Sequence, residues 1–125
     1  MTKITTTKLD ILKSDAVGLP LLRLAGRLTF GESSRALRQA VTEVAGEGSR
    51  YLLLDLQEVS YIDSSGLGVL ASGHNALKGN GGGIALLNVP KPVQDLLEMC
   101  RLTTVFRVFS SPEEAATELT ECGTG

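Results

Sequence analysis

Histidine occurs once in this sequence, at His74, and tryptophan not at all. No Ser-His-Asp or Cys-His set can be completed around a single histidine that falls on the apolar side of a helical pattern. His74 therefore reads as a packing or surface residue. Cysteine occurs only twice. Cys100 and Cys122 lie far apart, form no C-x-x-C pair and belong to no Cys/His ligand set, so free reduced thiols are expected, with no metal and no cofactor. Basic clusters are missing as well: the net charge is −2, and without a basic patch the electrostatic footprint of nucleic-acid binding is absent. No apolar run approaches the roughly 18 residues of a spanning helix, and Met1-Thr2-Lys3-Ile4-Thr5-Thr6 lacks the apolar core of a signal peptide. No membrane insertion and a cytoplasmic location are expected.

The common enzyme signatures fail too. No G-x-x-x-x-G-K-[ST] string occurs, and Asp55, Glu58 and Asp63 occupy separate parts of a strand and loop rather than a facing pair. Gly66-x-Gly68-x-x-Ala71 matches the G-x-G-x-x-A form of a dinucleotide fingerprint. The turn before it, however, is filled by Asp63, Ser64 and Ser65, whose side chains and charge oppose a close pyrophosphate, and Asn88 stands where an acidic ribose ligand belongs. Gly66, Gly68 and Gly73 are read instead as allowing close helix-to-sheet approach. No catalytic residue is assigned, and the chain is not expected to be an enzyme.

What is present is ordinary globular composition, 42% hydrophobic and 21% charged over 125 residues. That length suits one domain over residues 1–125, ordered from about 3 to 121 with a short C-terminal tail. Ile4 to Leu12 and Leu19 to Ala25 read as an antiparallel hairpin turning at Lys13-Ser14-Asp15, with Pro20 at a strand start or edge. Thr29-Phe30-Gly31-Glu32 has capping-box spacing, and the helix after it buries Leu37, Ala40, Val41 and Val44. Tyr51 to Leu56 is a short apolar strand. Leu67, Leu70, His74 and Leu77 then mark a helix that starts near Ser64 or Ser65 and stops at the glycines from Gly79 to Gly83. Ile84 to Leu87 is the next strand, followed by a helix with Pro92 in its first turn and a stripe of Val93, Leu96, Leu97 and Cys100. Val105 to Phe109 is the last strand. Ser111-Pro112-Glu113-Glu114 caps a fourth helix that runs to about Glu121, and Gly123 to Gly125 should fray. Strands alternating with single helices imply an α/β fold: a mostly parallel central sheet with an antiparallel N-terminal strand and four helices.

The stretch that this arrangement presents is Tyr61-Ile62-Asp63-Ser64-Ser65-Gly66-Leu67-Gly68. It follows a strand's carboxyl end, where sites in such sheets gather, and it places two hydroxyls at a helix N-terminus. There the unpaired backbone N–H groups and partial positive charge suit a hydroxyl cap or a phosphate. By itself the string is also consistent with a cap at Ser64 or Ser65 and a turn closed by Asp63.

Asp63-Ser64-Ser65-Gly66-Leu67-Gly68, preceded by Leu54-Asp55-Leu56-Gln57-Glu58-Val59-Ser60-Tyr61-Ile62, resembles the signature of the STAS-domain anti-sigma-factor antagonists. The likeness extends to Leu24-Ala25-Gly26-Arg27-Leu28-Thr29, the Pro90 to Arg101 helix and the Leu102 to Phe109 stretch, so it covers nearly the whole chain. The resemblance implies a bacterial partner-switching regulator. An anti-sigma factor that is also a serine kinase phosphorylates the serine after the aspartate, here Ser64, with Ser65 the second choice. The unphosphorylated antagonist binds the anti-sigma factor and frees the sigma factor; the phosphorylated form lets go, and a serine phosphatase resets it. Thr29, Asp63, Ser64, Ser65, Gly66 and Leu67 are the partner-binding residues implied, and a monomer or weak dimer is expected.

One segment departs from the family. Its members often carry acidic residues in the Gly-x-Leu-x segment, where this chain has Arg27 and Thr29. The cognate kinase is therefore expected to differ, or phosphorylation to be weak. That departure keeps a second reading open, a STAS scaffold subunit of a stress-signalling or transporter-associated complex without a phosphoswitch.

Overall fold

Side chains alternate across a strand, so each strand here sorts its apolar residues onto two faces of one sheet, and the helices cover what the strands expose. The computed structural model describes residues 2–102 and 105–123. Its elements are β1 (Thr2–Thr5), β2 (Leu9–Ala16), β3 (Leu19–Leu28), α1 (Glu32–Gly46), β4 (Tyr51–Ile62), α2 (Ser64–Lys78), β5 (Gly83–Leu87), α3 (Lys91–Met99), β6 (Arg107–Phe109) and α4 (Pro112–Gly123). The strands lie in the order β1-β2-β3-β4-β5-β6. Pairing is antiparallel from β1 to β3 and parallel from β3 to β6. This is the α/β fold with four helices that the strand-helix alternation predicts.

Each parallel crossover steps one place in the same direction, so right-handed connections deposit α1, α2 and α3 on one face. There Leu52, Leu54 and Leu56 of β4 meet Val41, Leu70 and Leu97 in the larger core. The opposite face packs Leu53, Ala85, Leu87 and Phe109 against Ala115 and Leu119 of α4. A strand buried on both faces loses its alternating pattern, which is why Tyr51 to Leu56 reads as one apolar run.

Several boundaries differ from those the sequence suggests. The N-terminal hairpin is three strands rather than two. Thr6 interrupts the first segment: its hydroxyl accepts the Leu9 amide at 2.9 Å and donates to the Leu9 carbonyl at 2.8 Å, a local substitute for ladder bonding. Lys13-Ser14-Asp15 is not the turn but part of β2, paired with Pro20 to Leu22. The reversal falls at Val17-Gly18, whose φ angles of 49° and 80° are the two positive values that a type I′ hairpin requires. β4 continues past Leu56 to Ile62 because β3 pairs with it that far, through two register shifts. The last strand shortens to Arg107–Phe109, and Phe106 leaves the ladder to fill the larger core, edge-on to His74 with ring centroids 5.3 Å apart.

The capping box at Thr29 and Glu32 does not form. Gly31, at φ 106°, is the N-cap of α1 and offers no side chain, so Thr29 lies two residues too early to cap. Ser33 works in reverse: its hydroxyl accepts the Thr29 amide and donates to the Thr29 carbonyl, both at 2.9 Å. The box before α4 does form in part, Ser111 Oγ accepting the Glu114 amide at 3.1 Å while the Glu114 carboxylate reaches back to Ser110. Cys100 is not in the buried stripe of α3; it stands at the C-cap, exposed. Thr103, Thr104, Thr124, Gly125 and the thiol of Cys122 fall outside the described residues and side chains.

Candidate functional site

The polar stretch after β4 is positioned by an unequal pair of strands. β5 pairs with β4 only through Asp55, so Leu56 to Ile62 run on beside β3 alone and carry Asp63 past the end of the sheet's centre. The Asp63 amide donates to the Leu28 carbonyl at 3.2 Å, which fixes the turn to the end of β3. Asp63 is then the N-cap of α2. Its Oδ1 accepts the Gly66 amide at 3.0 Å, and its Oδ2 accepts the Phe30 amide at 2.9 Å. One carboxylate thus closes a helix and ties down the loop between β3 and α1. The Gly66 amide above all, opposed by partial burial and aided by the Phe30 amide, holds the Asp63 carboxyl below its ordinary range.

With Asp63 as the cap, neither serine is needed for that job. Ser64 is the first residue of α2 and exposed; Ser65 follows, half-buried. Gly66 and Leu67 lie beneath them, buried. A Cβ on Gly66 would come within 2.7 Å of the Leu28 carbonyl oxygen and 2.9 Å of Ile62 Cγ2, so the helix approaches β3 more closely than alanine allows. Gly73 has the same role against Val41, but Gly68 does not: nothing lies within 4 Å of where its Cβ would be. Thr29 is 8% exposed, and its Oγ1 finds no hydrogen-bond partner among the described residues. Asp63, Ser64 and Ser65 therefore share one surface, while Thr29, Gly66 and Leu67 support it from below.

Phe30 is the residue that sequence reasoning missed. It is 82% exposed beside Asp63, on a loop whose backbone the Asp63 carboxylate holds. A phenylalanine followed by glycine, ahead of rather than within the apolar stripe of α1, was the available signal.

Two grooves flank this ridge. One, of about 490 Å³, lies between the end of β4, the start of α2 and α3, with Tyr61, Ser64, Leu67, Val93, Leu96 and Cys100 among its walls. The other, of about 420 Å³, lies between α1 and α2, with Phe30, Arg35, Arg38, Ser65 and Gly68 among its walls. Arg27 sits 5.5 Å from the centre of the Tyr61 ring, a cation–π pair.

The chemistry open to Ser64 follows from its neighbours. His74 stands ten residues along α2, and its Nδ1 accepts the Ile84 amide at 3.0 Å, so that nitrogen is not free to take a serine proton. Among the described residues no three His, Cys, Asp or Glu side chains are placed to hold a metal ion. The exposed Ser64 hydroxyl stands at a helix end that tolerates negative charge. No helix among the described residues is long and apolar enough to cross a membrane.

The STAS domain family is matched over residues 9–115. An anti-sigma F factor antagonist from Paenibacillus polymyxa is 29% identical over 102 residues, which covers 82% of this chain and 87% of that protein. The crystal structure of an anti-sigma factor antagonist from Mycobacterium paratuberculosis superposes with a TM-score of 0.76 at 21% identity, covering 94% of this chain and 99% of that one. The Bacillus cell fate determinant SpoIIAA, in its phosphorylated form, superposes with a TM-score of 0.67 at 19% identity, covering 86% and 97%. At these identities the two structures share the fold.

Proposed function

Because the chain belongs to the STAS domain family, we propose that it is an anti-sigma-factor antagonist that works by partner switching as a single cytoplasmic domain. Unphosphorylated, it binds an anti-sigma factor that is also a serine kinase; phosphorylation of Ser64 releases it, and a serine phosphatase restores it. The chain supplies no catalysis of its own. The observation that carries this reading is the placement of Ser64, an exposed hydroxyl on the first residue of α2 beside a carboxylate occupied by two amides. A relative and structural neighbours described as anti-sigma factor antagonists support it.

The energetics of the switch divide cleanly between fold and interface. A phosphate on Ser64 brings nearly two negative charges, which the N-terminus of α2 favours by about 0.3 to 2 kcal/mol. Against a docked partner's carboxylate about 4 Å away, each charge pair costs roughly 1 to 4 kcal/mol at dielectrics between water and protein surface. Modification therefore leaves the fold in place and penalises the complex. Ser65, half-buried on the second residue of the helix, has less room for a kinase to reach it.

Intact-mass and fragment-ion spectrometry on the protein purified from its own cells, growing and stressed, tests the proposal. A single phosphate on Ser64 whose occupancy changes with condition is expected. Ser64 unmodified under every condition would overturn partner switching and leave a constitutive STAS scaffold as the reading.

A further inference from the structure

Four lysine and arginine side chains pair with carboxylates among the described residues. Lys13 pairs with Glu47, Arg23 with Asp55, Lys91 with Asp95 and Arg107 with Glu118. Arg35 and Arg38, three residues apart on the exposed side of α1, have no ion-pair partner among the described residues. Both face the cleft of about 420 Å³ beside Ser65 and Gly68, with Phe30 at its mouth. Arg38 also lines a separate small hollow of about 40 Å³ beside Ser72 and Ala76. No acidic side chain lines either one. Glu32, the acidic residue in the first turn of α1, is not among the lining residues.

We infer that the cleft between α1 and α2 receives an acidic segment of the protein partner, with Arg35 and Arg38 meeting its carboxylates and Phe30 anchoring an apolar side chain beside them. This rests on the partner-switching reading and gives the partner's contact surface a chemistry. The inference follows from charge complementarity around an apolar anchor: guanidinium forks suit carboxylates bidentately, and exposed aromatics flanked by arginine are where binding energy concentrates. The small residues Ser65 and Gly68 of α2 leave room for a segment to enter the cleft beside the helix. A nucleic acid is the poorer fit, since two guanidiniums on a chain of net charge −2 make no backbone-tracking basic surface.

The same charges connect the cleft to the switch. Ser64 stands on the ridge next to Ser65, and a phosphate there carries nearly enough negative charge to cancel two guanidiniums. An acidic partner is then opposed at the surface that attracted it.

The test uses the full chain, isotopically labelled, titrated with an amphipathic helical peptide of leucine and glutamate and with its leucine–lysine counterpart, followed by backbone amide shifts. The glutamate peptide should give saturable shifts at Phe30, Gly31, Arg35, Arg38, Ser65 and Gly68, weakening with salt; the lysine peptide should not. An Arg35→Glu/Arg38→Glu chain should bind the glutamate peptide at least about tenfold more weakly, with the amides of β4 and β5 unchanged as evidence that it is folded, and Arg35→Lys/Arg38→Lys should retain most of the affinity. Shifts mapping elsewhere, or equal responses to both peptides, would overturn the inference whatever the state of Ser64. A response at the cleft together with an unphosphorylated Ser64 in cells would overturn partner switching alone.

Discussion

Asp63 accepts the Phe30 amide through Oδ2 at 2.9 Å, a bond that spans 33 residues of sequence and joins the loop after β3 to the start of α2. Its other oxygen caps α2 through the Gly66 amide. The residue beside Ser64 is thus also the residue whose carboxylate holds the backbone of the exposed phenylalanine. Asp63→Ala should cost about 0.5 to 2 kcal/mol, the usual loss for removing an N-cap. Asp63→Asn should cost less, because the amide oxygen can still accept one bond. Urea unfolding gives the stabilities, and faster amide exchange at Phe30 and Gly66 in the alanine chain distinguishes loss of this tether from a general loosening.

Acid should weaken the fold in two stages, and the direction follows from which state takes the proton. Burial, then the charge of Lys78, lowers the His74 pKa, and Nδ1 is already an acceptor for the Ile84 amide. The unfolded chain therefore protonates first. Stability is complete above the ordinary histidine value near 6.5 and declines as pH falls from there through the lower folded value. Asp63, also lowered, adds a second decline below the ordinary carboxylate range. Urea midpoints measured from pH 8 to pH 3 should show both, and His74→Gln should abolish the first. A midpoint that rises between pH 7 and pH 5 would contradict the placement of His74.

Gly66 and Gly68 lie in the same turns of α2 and should respond oppositely to alanine. Gly66→Ala forces a methyl against the Leu28 carbonyl and Ile62, with a cost of about 1 to 3 kcal/mol. Gly68→Ala meets open space in a helix interior and should gain about 0.5 to 1 kcal/mol from propensity. Thermal or chemical unfolding of the two variants checks the pair.

Much of this arrangement was legible because it is periodic. The apolar run of Tyr51 to Leu56, the 3.6-residue spacing of Leu67, Leu70 and Leu77, and the serines at a strand-to-helix junction all survive in the structure. What was hidden depends on single backbone angles or on pairing between distant strands. The positive φ at Gly31 moves the start of α1 beyond the reach of Thr29, and nothing in Thr29-Phe30-Gly31-Glu32 announces it. The extension of β4 to Ile62 depends on register shifts against β3, which no local pattern encodes. Gly66, Gly68 and Gly73 look alike in the chain, yet only the packing of Leu28, Ile62 and Val41 separates the two that are required from the one that is not. Phe30 falls within the Thr29-to-Glu32 spacing, a pattern that marks a helix start and carries no sign of an exposed ring.

Phe30 provides the sharpest separation of folding from docking. A phenylalanine that is 82% exposed contributes little to the core, so Phe30→Ala should leave stability within about 0.5 kcal/mol. Ordering the loop does not depend on the ring either, since the Asp63 carboxylate grips the backbone amide that alanine retains. A large exposed ring kept on a tethered loop beside Ser64 is, by contrast, what an interface anchor looks like, and its truncation should weaken the complex with the anti-sigma partner by about 2 kcal/mol or more, roughly thirtyfold. Ser64→Asp should weaken the same complex with equally little effect on stability, because the charge falls at the favourable end of α2. Titration calorimetry with the partner, beside urea unfolding of each variant, measures both quantities. A Phe30→Ala chain that binds as well as the parent would place the docking surface on the other side of the ridge, in the groove walled by Tyr61 and Leu96.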